Sequence, residues 1–222
     1  ANITSGRYSF IGNGYNNSVA GYASFIGGGV GNIASGIGSF IGNGTGNTTS
    51  SILSFVGNGS GNTASGAGSF IGNGTGNTAS GIHSIIVGGR LNSATTSYSS
   101  IVGGSNNLAS SPWSFIGGGF KNSATTSYSS IVGGKYNLVS GNSYSNNTSS
   151  SFIGGGKYNI ALDGYDGSSA VVVGGTNNFA GGSYYSFSVV VGGNRNSATG
   201  GYSSVLGGNY NRAAGYKATI VG

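Results

Sequence analysis

The sequence predicts an all-β chain wound as a parallel β-solenoid, a β-roll of about 14 coils, and three observations carry that prediction. An asparagine recurs every 15 residues, at Asn17, Asn32, Asn47, Asn62, Asn77, Asn92, Asn107, Asn122 and Asn137. A β-branched residue recurs with it, from Ile11, Ile26, Ile41 and Val56 through Val172, Val190 and Val205 to Ile220. No segment carries a helical period of apolar residues. A fixed period of this kind marks a stacked repeat, in which each unit covers apolar surface on the next.

With the recurrent Asn numbered as phase 15, the parts of a coil follow in order. Phase 2 is small, usually Ala as at Ala64, Ala94 and Ala198, and a short strand is expected around phases 15 to 2. Phases 7 to 10 begin with Ser, continue with Phe or Ser and reach the Ile or Val of phase 9, a pattern suited to a second short strand. Phase 11 is Gly or Asn and phase 12 is Gly, as at Gly14, Gly29, Gly104 and Gly208, which suits a tight turn with positive φ. The Asn series resumes at Asn159, Asn178, Asn196 and Asn211, and the wider gaps place insertions near residues 141–150, 162–169 and 181–188. Residues 1–222 therefore read as one repeat domain, expected to be a piece of a longer fibre. Stacked phase-15 side chains are expected to form an amide ladder, and stacked phase-9 side chains the core.

Composition narrows the alternatives. The chain has 49 Gly but one Pro and no Gly at every third place, which excludes a collagen triple helix. Ten Phe, 14 Tyr and abundant Ile and Val are unlike a disordered chain. The absence of cysteine excludes a disulfide framework. Apolar runs are too short for a transmembrane helix or strand, so no membrane insertion by this segment is expected.

Phases 8 and 10 share the strand face opposite phase 9, and they vary together. Phe10, Phe25, Phe40, Phe55, Phe70, Phe115 and Phe152 each stand two places before a Gly, whereas Ser100 and Ser130 precede Val102 and Val132. A coil this small has one interior, so either phase 9 fills it and phases 8 and 10 face outward, or the reverse. Whichever face is outside needs a cover. The simplest cover is a second copy, which gives an expected side-by-side homotrimer with Phe10, Phe25, Phe40, Phe55, Phe70, Val102, Phe115, Val132 and Phe152 at the interface.

Units such as YSSIVGGSNNLAS (residues 98–110) and GYSSVLGGNYNRAAG (residues 201–215) resemble the YadA-like, haemagglutinin-type head repeats of trimeric autotransporter adhesins. The resemblance covers nearly the whole chain and extends to repeat regions of phage and viral surface fibres. It implies a trimeric β-roll that adheres to host or matrix surfaces, extracellular on a bacterial cell or a virion. The unit here is one residue longer than the family's, and neither a coiled-coil stalk nor a membrane-anchoring barrel is present in this sequence.

Catalytic chemistry has little to draw on. The titratable side chains suited to it are His83, expected to be an exposed turn residue, and the pair Asp163 and Asp166 in LDGYDG. Two carboxylates can cleave glycosides, but Asp in a Gly-rich stretch is a turn former first, and no enzyme activity is expected. No metal site and no cofactor site can be assembled, because calcium and zinc sets need acidic, His or Cys ligands that are missing.

The informative polar feature is an edge. Phases 13 and 14 carry Tyr15, Arg90, Phe120, Lys121, Lys135, Tyr136, Lys157, Tyr158, Arg195 and Tyr210, in a chain of net charge +6. Aromatic faces stack on sugars and cations attract anionic glycans, so this edge is the expected binding surface for a surface glycan or other receptor, with no specific nucleic acid partner. Tyr144, Tyr165 and Tyr184 in the insertions are expected to add recognition loops. A different class, ice binding, is suggested by the Ser and Thr array of TGNT (residues 45–48), SGNT (60–63) and TGNT (75–78).

Overall fold

The structure, a computed structural model, describes residues 1–141, 150–164, 168–182 and 187–222. It is all-β, with no helix among the described residues, and winds as a parallel β-solenoid of about 14 turns. Two compact units make it up, Ala1–Asn106 and Asn107–Gly222.

In the first unit each coil contributes two strands of two residues. One ladder runs from Ile3–Thr4 through Ser18–Val19, Ile33–Ala34, Thr48–Thr49, Thr63–Ala64 and Thr78–Ala79 to Ser93–Ala94. The other runs from Phe10–Ile11 through Phe25–Ile26, Phe40–Ile41, Phe55–Val56, Phe70–Ile71 and Ile85–Ile86 to Ser100–Ile101. Register is that of the repeat, with Phe55 beside Phe70 and Ala64 beside Ala79. A third column, not foreseen from the pattern, bridges phase 13 from coil to coil through Tyr15, Val30, Thr45, Ser60, Thr75, Arg90 and Ser105.

The second unit repeats this plan from Leu108–Ala109 and Phe115–Ile116 onward. Beside the insertions its strands lengthen to Leu138–Gly141, Ile160–Asp163, Ser169–Val172, Phe179–Gly181 and Phe187–Val190. The first inserted residues thus extend the ladder, with Ser140 beside Leu162 and Gly141 beside Asp163.

Phase 9 faces inward. Ile26, Ile41, Val56, Ile71, Ile86 and Ile101 in the first unit, and Ile116, Ile131, Ile153, Val172, Val190 and Val205 in the second, are fully buried. They meet the equally buried Val19, Ala34, Ala64 and Ala79, or Ala109, Ala124, Val139 and Ala161, of phase 2. A large residue on one wall against a small one on the other leaves no room for helix or loop inside the coil. Each buried Ile or Val contributes about 1.5–3 kcal/mol by transfer from water. The reverse arrangement, with phases 8 and 10 inside, does not occur: Val102 and Val132 are exposed, and Phe10 is 54% exposed.

The phase-15 Asn side chains knit the coils. Asn77 Nδ2 donates to the Asn73 carbonyl of its own coil (3.2 Å) and to the Gly89 carbonyl of the next (3.0 Å). Its Oδ1 accepts from the Asn92 N–H (3.0 Å). The pattern repeats at Asn17, Asn32, Asn47 and Asn62, and in the second unit at Asn122, Asn137, Asn159, Asn178 and Asn196. Asn2 is a further rung, accepting from Asn17 N–H and donating to the Gly14 carbonyl. The buried Asn92 N–H takes Asn77 Oδ1 as its partner, a bond whose loss costs about 1–3 kcal/mol, whereas the Gly89 carbonyl also accepts from the Thr75 N–H (2.9 Å). Gly at phase 12 belongs to the same device: Gly74 has φ of +112°, and a Cβ there would stand 2.1 Å from the Gly89 oxygen and 2.5 Å from Asn77 Nδ2.

The coupled variation of phases 8 and 10 has its cause within one chain. A Cβ on Gly72 would meet Phe70 Cε1 at 3.4 Å, and the same approach recurs for Phe10, Phe25, Phe40, Phe55 and Phe152 over their own glycines. The ring therefore occupies the place of a phase-10 side chain. Rings of successive coils then stack, Phe25 on Phe40 and Phe40 on Phe55 at 4.9 Å between centroids, at the strand spacing itself. Phe25, Phe40, Phe55 and Phe70 are half-buried by this alone.

Asn77→Ala is expected to lower unfolding free energy by about 1–3 kcal/mol, since it strips the partner from the buried Asn92 N–H and the side-chain donor from Asn73 C=O. Gly74→Ala is expected to match it through strain. Urea unfolding followed by circular dichroism checks both. A double-mutant cycle on Phe70→Ser and Gly72→Val, which together copy Ser100 and Val102, is expected to show a favourable coupling of about 0.5–3 kcal/mol.

Candidate functional site

Among the described residues, coils turn through left-handed residues at phases 6 and 14. At phase 6 these include Ala23, Leu53, His83 and Tyr98 in the first unit and Trp113 and Tyr128 in the second, with φ between +52° and +60°. Pro112 and Trp113 show the logic, because proline fixes the second residue of a turn whose third residue is left-handed, and Ser114 N–H closes it on the Ser111 carbonyl (3.2 Å). At phase 14 the first unit uses Gly31, Gly46, Gly61 and Gly76 but also Asn16, Leu91 and Asn106, and the second uses Lys121, Tyr136, Tyr158, Asn177, Arg195 and Tyr210, the non-glycine residues at φ of +52° to +60°. Left-handed backbone costs a non-glycine residue about 1–2 kcal/mol. It is held by the turn's own ladder: Tyr136 N–H donates to the Phe120 carbonyl and Tyr158 N–H to the Lys135 carbonyl.

The second unit brings most of the expected edge together. Phe120, Lys135 and Lys157 occupy one bridged column that continues through Thr176, Asn194 and Asn209. Lys121 Nζ lies 5.4 Å from the Phe120 ring centre and 5.5 Å from that of Tyr136, and Lys135 Nζ lies 5.2 and 5.3 Å from the same two rings. Lys157 stands over Tyr158 (4.9 Å) and Arg195 over Tyr210 (5.0 Å). Tyr136 and Tyr158 stack at 4.9 Å with 9° between planes, and Phe120 meets Tyr136 edge-on. The four cations are exposed, and the one acidic side chain among the described residues, Asp163, is buried.

Within the edge, Phe120 and Tyr136 turn toward neighbouring rings and lysines, while Tyr158 and Tyr210 stay open to water at 43% and 62% exposure. Each cation–ring contact holds a lysine or arginine stem in place at about 0.5–1 kcal/mol.

Other expected residues fall elsewhere. Arg90 belongs to the first unit, between Thr75 and Ser105 in the phase-13 column rather than among rings. Tyr144, Tyr165, Tyr184 and Asp166 lie outside the described residues. Thr45, Ser60 and Thr75 run in the bridged column while Thr48, Thr63 and Thr78 run in a strand ladder, with a left-handed Gly and a buried Asn between the two files in every coil. His83 is an exposed turn residue, stacked on Tyr98 at 5.5 Å.

A second edge, at phases 5 and 6, was not anticipated. In the first unit it exposes Tyr22, Ile37, Ile52, Leu53 and Ile82, and in the second Trp113 stacked parallel to Tyr128 at 6.3 Å. The usable signal was Gly38 and Gly68, whose alternation with large residues marks a position outside the coil that accepts positive φ.

Asp163 is 4% exposed. Ser151 Oγ donates to its Oδ1, while Oδ2 has no partner among the described residues. Burial pushes its carboxyl above the ordinary value of 3.8, and the Ser151 and Thr126 hydroxyls only partly offset this. No group of three or more metal-ligating side chains occurs among the described residues, and no helix there is long and apolar enough to cross a membrane. No family model matches the chain, and no curated protein matches it.

The raised pKa sets a direction for stability. Below 3.8 the carboxyl is protonated in both states and the fold carries no penalty. As pH rises toward the folded-state value the unfolded chain ionises first, so stability falls. Asp163→Asn is expected to stabilise the protein at neutral pH and to flatten this acid-side dependence, as measured by thermal unfolding from pH 3 to pH 8.

Proposed function

We propose that the chain is a non-enzymatic structural and adhesive repeat, carried outside the cell on a bacterial or virion surface, whose basic edge binds anionic glycans. The observation that carries this reading is the pair Lys121 and Lys135, held over the same two rings with no described carboxylate beside them. Two cations confined this way repel one another, and a polyanion laid across them relieves the repulsion.

The coils beneath the cations are bonded one to the next by the phase-15 Asn side chains, so the charges sit on a fixed frame and little freedom is lost on binding.

Replacing Lys121, Lys135 and Lys157 together with Ala is expected to weaken binding to a sulfated or carboxylated glycan by about tenfold or more. The salt dependence of binding should become shallower and the thermal midpoint should stay within about 2 °C. Biolayer interferometry against immobilised heparin at several salt concentrations, beside thermal unfolding, reads both. Unchanged binding by the triple variant would reject the edge as the site.

A further inference from the structure

We infer that Asn43, Asn58 and Asn73 are sites of spontaneous modification, at which the side-chain amide is lost through a cyclic imide to leave aspartate or isoaspartate. They stand at phase 11 of three consecutive coils of the first unit, exposed, and each precedes the phase-12 Gly. Gly74 N–H donates to Oδ1 of Asn73 at 2.6 Å, and Gly59 and Gly44 donate to Asn58 and Asn43 in the same way at 2.7 Å. Cγ lies one carbonyl bond, ~1.23 Å, beyond Oδ1, which puts the glycine nitrogen about 3–3.5 Å from that carbon, the separation of a near-attack conformer. The N–H that a new N–Cγ bond would replace already points at the amide group. Glycine has no Cβ to obstruct the closure.

The phase-15 amides are protected by the fold. Asn77 is buried, its Nδ2 donates to two carbonyls, and the N–H that follows it, on Thr78, is committed to the Asn92 carbonyl of the next coil (2.9 Å). A further Asn-Gly pair lacks the geometry. Asn13 is exposed and precedes Gly14, but its Oδ1 is turned to Gly28 of the next coil, where it would meet a Cβ.

The step needs only water and solvent base. Base takes the Gly N–H proton, the nitrogen bonds to Cγ, and Nδ2 takes up a proton and leaves as ammonia, which closes the imide ring. Water then opens the ring at either carbonyl. Scission of the new N–Cγ bond gives aspartate, and scission of the original peptide C–N bond gives isoaspartate, with the main chain routed through Cγ. An amide and a water become a carboxylic acid and ammonia, with no change in oxidation state. Between Arg7 and Arg90 the chain has no Lys, Arg, Asp or Glu. Conversion at all three sites places carboxylates on consecutive coils, ~4.8 Å apart, and halves the net charge of +6.

The test holds the intact chain at pH 8, folded in buffer and unfolded in guanidinium chloride, and follows each site by peptide mapping with mass spectrometry. Isoaspartyl methyltransferase labelling reads the isoaspartate fraction. In the folded protein Asn43, Asn58 and Asn73 are expected to convert about tenfold or more faster than Asn13 and Asn77. Each of the three is expected to convert at least as fast folded as unfolded, whereas the four Asn-Gly sites convert alike in the unfolded chain. Equal rates at all four sites in the folded protein would overturn the inference, because the dipeptide alone would then account for the conversion. Slower conversion of the three sites in the folded protein than in the unfolded chain would also overturn it, since the turn would then be a protection.

Discussion

The fold depends on one amide per coil. In a β-solenoid with two-residue strands, most of the backbone lies in turns, where the coil-to-coil ladder reaches carbonyls such as Gly89 but needs a side chain to complete the bonding. Asn77 and its counterparts supply that side chain, donating to Asn73 and Gly89 and accepting from Asn92. A side chain that bonds within its own coil and also to the next makes stacking and turn formation a single event. Without it the short strands would have to hold the coil alone, and two residues such as Phe70–Ile71 bury too little to do so.

From that constraint the rest of the unit follows. Asn can reach the next phase-12 carbonyl only if nothing stands between, so phase 12 is Gly and the backbone there turns through positive φ. The interior left beside the amides is narrow, which fixes Ala or Val on one wall and Ile or Val on the other. Ser at phase 7 fits the same space, and in some coils its hydroxyl donates to the turn carbonyl, as Ser24 does to Gly21 at 2.6 Å, while in others, such as Ser39 and Ser69, it does not. Side chains outside the coil escape these demands, and it is there that the sequence varies.

The inward positions were legible in the sequence because each tolerates one residue type: a single Asn, a Gly after it in the next turn, and a β-branched residue between. The outward positions were less so. Phe70 and Gly72 were read correctly as sharing a face, but the pattern could not tell a neighbouring chain from the residue's own glycine as the cause. The left-handed columns at phases 6 and 14 were hidden because Trp113, Tyr128, Lys121 and Tyr158 are not residues that advertise positive φ. The composition of the Lys and Tyr edge was visible while its orientation was not. Ring stacking depends on χ angles that spacing does not encode, and it decides whether aromatic faces or cations meet the ligand.

Chemistry in such a molecule is confined to the corners. Interior phases are closed to polar groups other than those that bond the turns, as Asp163 shows: buried by the lengthened strand Ile160–Asp163, it is pushed toward its neutral form rather than offered to a substrate. The flat ladders hold Phe, Val, Ser and Thr in register, where a bulky charge would sit directly beside a like charge in the next coil. At phases 13 and 14 the turn projects side chains outward in two adjoining files, so Lys121 and Lys135 can alternate between files and share rings instead of colliding. A solenoid of this design can change what its corners present by substituting two residues per coil and leaving the amide ladder untouched. The contrast between Gly46, Gly61 and Gly76 in the first unit and Lys121, Tyr136 and Tyr158 in the second is that substitution written into one chain.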